Sequence, residues 1–281
     1  MIAKWSWGLV LALLAQCAVA ADKSGYHLFR PTPAGLLRPM DTDGPGTTES
    51  PYTVDAGHFQ VELTLLSYAT DRGSYPGVDY EFDYWAVAPM LLKVGLLNRL
   101  DAQFGLEPHN VLRERAGGIR TTSRGFGDTT VRLKYNVWGN DRGRTALALT
   151  PYVRIPTSQN NLGSDGIEGG LVVPWSADLP RDFWLGLTTR FDVVRDVGGR
   201  GHHPEFANSI AVGHDLSGKW FGYVEFFTIV STERDTDWVG SVNPGLIHPL
   251  NKNVWLNAGV NIGVTRAATD WNPFIGMSWR F

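Results

Sequence analysis

Outside a leader-like N-terminal stretch this sequence has no cysteine, because its single cysteine is Cys17. Disulfides, cysteine metal sites and a cysteine nucleophile are therefore excluded for the rest of the chain. The sequence also lacks a charge excess: 25 basic and 28 acidic residues give a formal net charge of −3, which offers no support for nucleic-acid binding. After the leader it lacks a long apolar run, so a membrane protein built from helices, each needing about 20 apolar residues, is excluded.

The first part of the chain has the pattern of a secretory signal peptide. Lys4 supplies a positive charge, residues 5–14 form a short apolar run, and Ala18-Val19-Ala20 offers the small residues that a signal peptidase requires. We therefore expect residues 1–20 to be removed after export.

Beyond the leader, apolar and polar residues alternate with a period of two, which is the pattern of β-strands. The clearest segment is 78–94, and we predict that it is one strand with a single apolar face. The opposite face of this strand carries Asp79, Glu81, Asp83 and Lys93. Strands in globular sheets are usually about 5–6 residues long, so a strand of this length suits a tilted membrane crossing.

The alternation predicts about twelve strands and no helix. Residues 21–56 show no sustained period, and we predict a periplasmic N-terminal segment there, packed as a plug or against the mouth of a barrel; residues 57–281 would form the barrel. The first strand begins at His58, and the second is 78–94. The other predicted strands are near 99–110, 123–138, 144–157, 167–178, 182–194, 204–215, 219–230, 237–248, 252–264 and 271–281.

The connections between these strands alternate in length. The longer ones are 71–77, 111–122, 157–166, 195–203, 231–236 and 265–270. The shorter ones are 96–98, 139–143, 179–181, 217–218 and the neighbourhood of 251. Outer-membrane barrels have short periplasmic turns and longer outer loops, whereas a soluble sandwich has no reason to sort its loops this way. The sequence therefore predicts an all-β, antiparallel, up-and-down transmembrane barrel of about twelve strands in a Gram-negative outer membrane, with both termini periplasmic.

Aromatic residues mark both the predicted strand ends and the end of the chain. Tyrosines and tryptophans near strand ends favour interfacial girdles in contact with outer-membrane lipid, although each alone could be an ordinary packed aromatic. After Gly276 the large apolar residues Met277, Trp279 and Phe281 alternate to the last position. This ending resembles the terminal strand by which the barrel assembly machinery recognises outer-membrane proteins, and we predict that these four residues form the assembly signal.

Several segments resemble the family called "MetA-pathway of phenol degradation", a family of outer-membrane transporters. The matching segments are 48–54, 57–62, 125–135, 155–157, Glu225 with its neighbours, and 276–281. The family commonly has Arg-Pro-Asp before its Thr-Glu-Ser, whereas this sequence has Gly44-Pro45-Gly46. The resemblance implies a membrane barrel that passes small hydrophobic or aromatic compounds.

By alternation, charged residues line the predicted lumen and are the predicted transport residues. They are Glu62, Asp79, Glu81, Asp83, Asp101, Glu107, Arg132, Lys134, Arg154, Arg190 and Glu225. Acidic groups cluster on the first three strands and basic groups on strands four, five and seven, which would give a field across the lumen that orients a polar solute. The alternative is a salt-bridge network that fills the lumen. A barrel of eight strands encloses only side chains, and one of sixteen encloses a water-filled channel. A barrel of twelve strands is compatible with either alternative.

The sequence offers no convincing catalytic group. Ser209 and His214 are five residues apart on one strand, so alternation places them on opposite faces. His202 and His203 with Glu205 could bind a metal, but a solvated loop is the simpler interpretation. We therefore predict no enzyme, no metal and no cofactor.

The favoured function is a passive outer-membrane channel or transporter for small organic molecules. No energy-coupling domain is visible in the sequence, so flux would be downhill. The alternatives are a plugged structural barrel that acts through its surface loops and an outer-membrane lipid-modifying enzyme. Nothing in the sequence fixes the oligomeric state.

Overall fold

The computed structural model describes residues 22–75, 78–141, 143–196, 199 and 201–281, so the predicted signal peptide lies outside the described residues. Fifteen strand segments form one antiparallel sheet. They are β1 Phe59–Tyr75, β2 Val78–Val87, β3 Met90–Leu97, β4 Leu100–Leu106, β5 His109–Ala116, β6 Ile119–Gly125, β7 Thr129–Trp138, β8 Thr145–Ile155, β9 Glu168–Asp178, β10 Phe183–Arg195, β11 His202–Asp215, β12 Phe221–Ser231, β13 Val239–Asn251, β14 Val254–Gly263 and β15 Trp271–Arg280. A short 3-10 helix covers Ala34–Leu36. Among the described residues, no helix has the length and apolar character needed to cross a membrane.

The sheet closes on itself because the first and last strands pair. β1 is bonded to β15 from Gln60 opposite Arg280 to Thr70 opposite Trp271. The closed ring contains twelve segments: β1, β3, β4 and β7 to β15. Closure leaves the ring without an unpaired edge, which is the condition for a sheet to lie in hydrocarbon. The predicted barrel of about twelve antiparallel strands is therefore confirmed.

The remaining segments β2, β5 and β6 are continuations of the ring strands β3, β4 and β7. They pair with one another and with the second half of β1, and form a sheet that projects beyond the ring. Two connections that were predicted as long loops, 71–77 and 111–122, are for this reason mostly strand. The other long connections, 156–167, 196–201, 232–238 and 264–270, lie at the same end of the barrel, which we call the loop end. The short connections lie at the opposite end, called the turn end.

An irregularity between β2 and β3 reverses which side chains face the lumen, although both segments keep the same register with β1. Ala88 has a positive φ of 58°, and the following proline has no backbone N–H for the ladder. On the β3 side of Ala88, Lys93 faces the lumen opposite the buried Gln60. On the β2 side, Ala86 faces the lumen opposite the buried Asn110. The prediction that 78–94 is one strand with a single apolar face was therefore wrong.

This reversal places three predicted lumen residues on the outer face instead. Asp83 accepts a hydrogen bond from the hydroxyl of Tyr68 at 2.6 Å, and the ring of Tyr68 packs on Trp85. Trp85 and Arg113 share that face, with the guanidinium 4.8 Å from the ring centre. The side chains displaced in this way are Asp79, Glu81 and Asp83. In their place, alternate aromatic residues of β2, including Tyr84, point inward.

The outer face of the ring is a band of exposed apolar side chains. It includes Leu133, Leu149, Val153, Leu171, Leu187, Phe191, Ile210, Val212, Val224, Phe226, Leu246, Leu256 and Ile275. Exposed tryptophans border this band, with Trp138 and Trp220 at the turn end and Trp238 and Trp271 at the loop end. Apolar surface costs about 25 cal/mol per Å² in water, so a band of this extent suits lipid, with indole rings at the two interfaces.

Candidate functional site

Residues 22–58, called the N-terminal segment, enter the barrel at the turn end: the first part of the segment is largely exposed there, and residues 40–56 are buried or half-buried inside the lumen. The segment bonds to strands around the ring: the amide of Val54 donates to Asp101 on β4 at 2.9 Å, and the amide of Thr48 donates to Glu225 on β12 at 2.5 Å. On β15, the guanidinium of Arg280 donates to a carbonyl of the segment at 2.8 Å. The segment has little regular structure, so side chains of the barrel wall supply hydrogen bonds to backbone groups that a helix or strand would otherwise satisfy.

A buried cluster of charges anchors the middle of the segment. Asp43 contacts two ammonium groups of the wall, Lys93 at 2.6 Å and Lys134. Glu62 contacts Lys93 and accepts hydrogen bonds from the amides of Asp43 and Gly44, both at 2.9 Å. Burial would raise the pKa of Asp43, but the positive charges of Lys134 and Lys93 outweigh it and hold the pKa well below its usual range. The cluster is therefore held together as a set of ions.

A second cluster anchors the segment at the turn end. Asp55, which is fully buried, contacts Lys23 at 3.1 Å and Arg38 at 3.2 Å. Lys23 also contacts Asp141, in the connection between β7 and β8, at 2.7 Å. Burial opposes ionisation of Asp141, yet hydrogen bonds from Lys23 and Asn98 lower its pKa overall. The start of the segment is thus fixed to a turn of the barrel.

Glu225 forms a third anchor on the far side of the lumen. Its carboxylate accepts hydrogen bonds from the amide of Thr47 at 3.1 Å, from the Thr47 hydroxyl at 2.7 Å and from Asn243 at 2.7 Å. Next to it, Glu49 forms an ion pair with Arg132. The segment is therefore stretched across the lumen between opposite walls.

Gly95 on β3 allows the segment to lie directly against the wall. A Cβ atom there would be 2.1 Å from the carbonyl oxygen of Asp55. The amide of Gly57 donates to the Gly95 carbonyl at 2.8 Å, so the contact is backbone to backbone. Only a glycine permits this approach.

The segment divides the lumen into cavities. The cavity on the loop-end side has a volume of about 420 Å³ and is polar, with Glu107, Arg154 and Arg190 in its wall. The cavity on the turn-end side has a volume of about 680 Å³ and is mostly apolar. Residues 44–46 border both and form the partition between them. This is the stretch where the sequence departs from the family pattern.

Five aromatic residues contribute to the wall of the apolar cavity. Its aromatic walls are Phe183, Trp184, Phe221, Tyr223 and Trp255. Every charged residue among those that the structure places around it is acidic, and no lysine or arginine contributes. The cavity therefore suits a small neutral apolar molecule better than an anion.

Most of the charged residues that the sequence placed in the lumen do face it. These are Glu62, Asp101, Glu107, Arg132, Lys134, Arg154, Arg190 and Glu225. They do not form an open transverse field, because Lys134, Arg132 and Glu225 bind the N-terminal segment. Arg154 pairs with Glu168 at 3.0 Å, and Arg190 with its neighbour Asp192 at 2.6 Å.

The partners on the segment, Asp43 and Asp55, were not anticipated from the sequence. The only available signal was the presence of carboxylates in a stretch without a sustained period that was predicted to pack against the barrel. Ser209 and His214 do not meet: Ser209 accepts a hydrogen bond from Thr48 at 2.7 Å inside the barrel, and His214 packs against Phe183.

The last strand presents three of its four predicted assembly residues to the outside. Met277, Trp279 and Phe281 alternate with buried residues, whereas Gly276 faces the lumen. The ring of Phe281 stacks on Phe59 with 5.7 Å between centroids, and the two residues exchange backbone hydrogen bonds of 3.0 Å. The last residue therefore takes part in ring closure. Its role in assembly stays a prediction.

Comparison with known proteins gives one family match. The family model described as "Putative MetA-pathway of phenol degradation" matches residues 42–281. No curated protein matches the chain. Among solved structures, the COG4313 outer membrane channel from Pseudomonas putida F1 is similar with a TM-score of 0.61 and 14% identity, over 85% of this chain and 99% of that one, which supports the barrel fold.

Two further structures have lower similarity. The KdgM porin gives a TM-score of 0.49 at 10% identity, over 79% of this chain and 99% of its own. The CymD monoaromatic hydrocarbon channel gives 0.43 at 9% identity, over 79% of this chain and 87% of its own. At this level of similarity no detail can be transferred from either.

Proposed function

The chain belongs to the MetA-pathway of phenol degradation family of outer-membrane β-barrels, and we propose that it is a passive channel for small, neutral aromatic or hydrophobic molecules. Both termini would lie in the periplasm, with the turn end facing inward and the loop end facing the medium, because outer-membrane barrels have short periplasmic turns. Solute would then enter from the loop end and leave at the turn end.

The observation that supports this solute class is the ring-lined cavity on the turn-end side of the partition. Its volume of about 680 Å³ falls in the usual range of small-molecule sites, about 300–1,000 Å³. Its acidic rim would repel carboxylates such as benzoate. Phenol, with a phenolic pKa near 10, is neutral at physiological pH and would be accepted.

Passage requires the partition 44–46 to move, because it separates the two cavities. The partition has two glycines and no charged side chain of its own, and it lies between the anchors at Asp43 and Glu225. A local shift between fixed anchors would join the cavities without withdrawing the whole segment. The proposed route is therefore narrow and selective, not a permanently open pore.

The test is uptake of labelled phenol and labelled benzoate by cells that lack this protein and are complemented with defined variants. Ala211 is buried and lines the cavity, whereas its neighbour Val212 faces outward. Ala211→Trp should fill the cavity and lower phenol uptake several-fold, and the matched control Val212→Trp should leave it unchanged. Heat-modifiable mobility on a gel shows whether each variant barrel is folded.

Three outcomes distinguish the alternatives. Phenol uptake equal to that of cells without the protein would exclude the channel and favour a plugged structural barrel. Uptake unaffected by Ala211→Trp would exclude this cavity as the route. Release of fatty acid or other lipid products by the purified protein would favour the lipid-modifying enzyme.

A further inference from the structure

A buried histidine stands at the loop end, away from the N-terminal segment. His203 is the second residue of β11, and it shares the lumen-facing side of that strand with Glu205 and Ala207. Only 9% of the residue is exposed, although it lies at the mouth of the barrel. Because β11 lies between β10 and β12, Asp196 after β10 and the connection 232–238 after β12 lie at the same end of the barrel as the histidine.

The two ring nitrogens of His203 have different surroundings. Nδ1 lies 3.0 Å from a carboxylate oxygen of Asp196, in the first of these connections. Nε2 is buried and has no hydrogen-bond partner among the residues that the structure describes. It faces two carboxylates, Glu205 at 3.5 Å and Glu233 at 3.8 Å.

A cation bound at Nε2 would lie next to the carboxylates of both Glu205 and Glu233. When Nδ1–H donates to Asp196, the neutral ring directs the lone pair of Nε2 at two negatively charged groups. A metal ion placed there would be bound by one imidazole nitrogen and two carboxylate oxygens. A histidine whose other nitrogen donates to a carboxylate is the usual way in which proteins orient a metal ligand.

We propose that His203, Glu205 and Glu233 bind one divalent transition-metal ion, with Asp196 as the positioning residue. One nitrogen donor and two oxygen donors, with water as a further ligand in the coordination shell, suit Zn²⁺. The ion would join the strand β11 to the connection after β12, and through Asp196 to the connection before β11. It would therefore fix two loops at the mouth of the lumen.

The experiment uses the full chain purified in detergent without a polyhistidine tag. Zinc binding is measured by equilibrium dialysis against ZnCl₂ in excess MgCl₂, and the bound metal is counted by mass spectrometry. We expect one zinc per chain. His203→Ala should weaken binding at least tenfold, and Asp196→Asn should weaken it roughly 10- to 100-fold, as expected for a residue that orients a ligand.

The neighbouring histidine is a matched control. His202 is exposed, and its ring bonds to the carbonyl of Ile167 at 2.9 Å, so His202→Ala should leave zinc binding unchanged. Cobalt substitution supplies a second readout, since Co²⁺ bound by His203 should give a visible absorption band that is lost in His203→Ala. Absence of stoichiometric zinc, or equal affinity in the wild type and His203→Ala, would overturn the proposal and leave a protonated imidazole between the carboxylates.

Discussion

Replacing Asp43 by asparagine should release the middle of the N-terminal segment from the lumen. Asp43 contacts Lys93 and Lys134, and all three side chains are at least nine-tenths buried. Asparagine keeps the shape but removes the negative charge. Lys93 would keep Glu62, whereas Lys134 would keep only the carbonyl of Ser50 at 2.6 Å among its described hydrogen-bond partners.

The size of the effect follows from the cost of an unpaired buried charge. Breaking a buried ion pair by removing one partner costs about 3–5 kcal/mol. At about 1.4 kcal/mol per factor of ten, the docked state would lose roughly 100- to 3,000-fold in population relative to the released state. The ring itself should stay intact, because its strand pairing does not depend on Asp43.

Conductance of single refolded molecules in a planar bilayer measures this release directly. We expect the wild type to remain at low conductance for most of a recording, and Asp43→Asn to show frequent or lasting open levels. The matched control is Asp22→Asn, the same change in the same segment at an exposed carboxylate whose described hydrogen bonds are to Ser24.

Two results would refute the reasoning. One is an Asp43→Asn protein that is folded, as judged by heat-modifiable mobility, yet conducts like the wild type. The other is an Asp22→Asn protein that opens as readily as Asp43→Asn. Either result would mean that the buried cluster does not control occlusion of the lumen.

Three further predictions concern the same segment and the ring closure. Burial raises the pKa of Asp41 to about 6, above its ordinary value of 3.8, so docking should weaken as pH rises from about 4 to 6. Asp41→Asn should reduce this pH dependence in the open probability measured between pH 4 and 8. Gly95→Ala should place a Cβ against the Asp55 carbonyl, displace the start of the segment and speed its cleavage by added protease, whereas Gly35→Ala, where a Cβ meets nothing, should not. Deleting Phe281 removes two backbone hydrogen bonds and the stacking on Phe59, so the amount of folded barrel in outer-membrane fractions should fall severalfold, and an unchanged amount would contradict a role in assembly.

The parts of the fold that follow from local patterns could be predicted from the sequence. The predicted strand 167–178 is observed as Glu168–Asp178, and 182–194 is observed as Phe183–Arg195. In these strands one face contacts lipid and the other faces the lumen, so the period of two is uninterrupted. The inward direction of Arg132 and Lys134 follows from the same regularity.

The reversal at Ala88 could not be predicted from alternation, because a single residue with a positive φ exchanges the two faces of everything beyond it while the register with β1 stays the same. Pro89 was the available signal, since proline cannot donate to a ladder and commonly marks a bulge or an edge. The charges on β2 were consistent with either face. On the outside they belong to the sheet that projects past the apolar ring, where water or headgroups solvate them.

The contacts of the N-terminal segment could not be predicted from the sequence, for a different reason. Its partners lie up to 242 positions away, and no local period indicates which carboxylate meets which ammonium group. From the sequence, a filled lumen and an open lumen were equally well supported. The structure shows a lumen crossed by the segment, with cavities on either side.

The distribution of the segment's partners has a consequence for the order of folding. Thr47 bonds to a residue 178 positions later, and Arg38 accepts a bond from Arg280, 242 positions later on the final strand. Contacts of such long range form late, because the loop between the partners must first be closed. Although the segment is synthesised first, it reaches its native contacts only when the final strand has joined the first. A docked segment therefore indicates a completed ring, and in a barrel that stops folding before closure the N-terminal segment should stay undocked and accessible to protease.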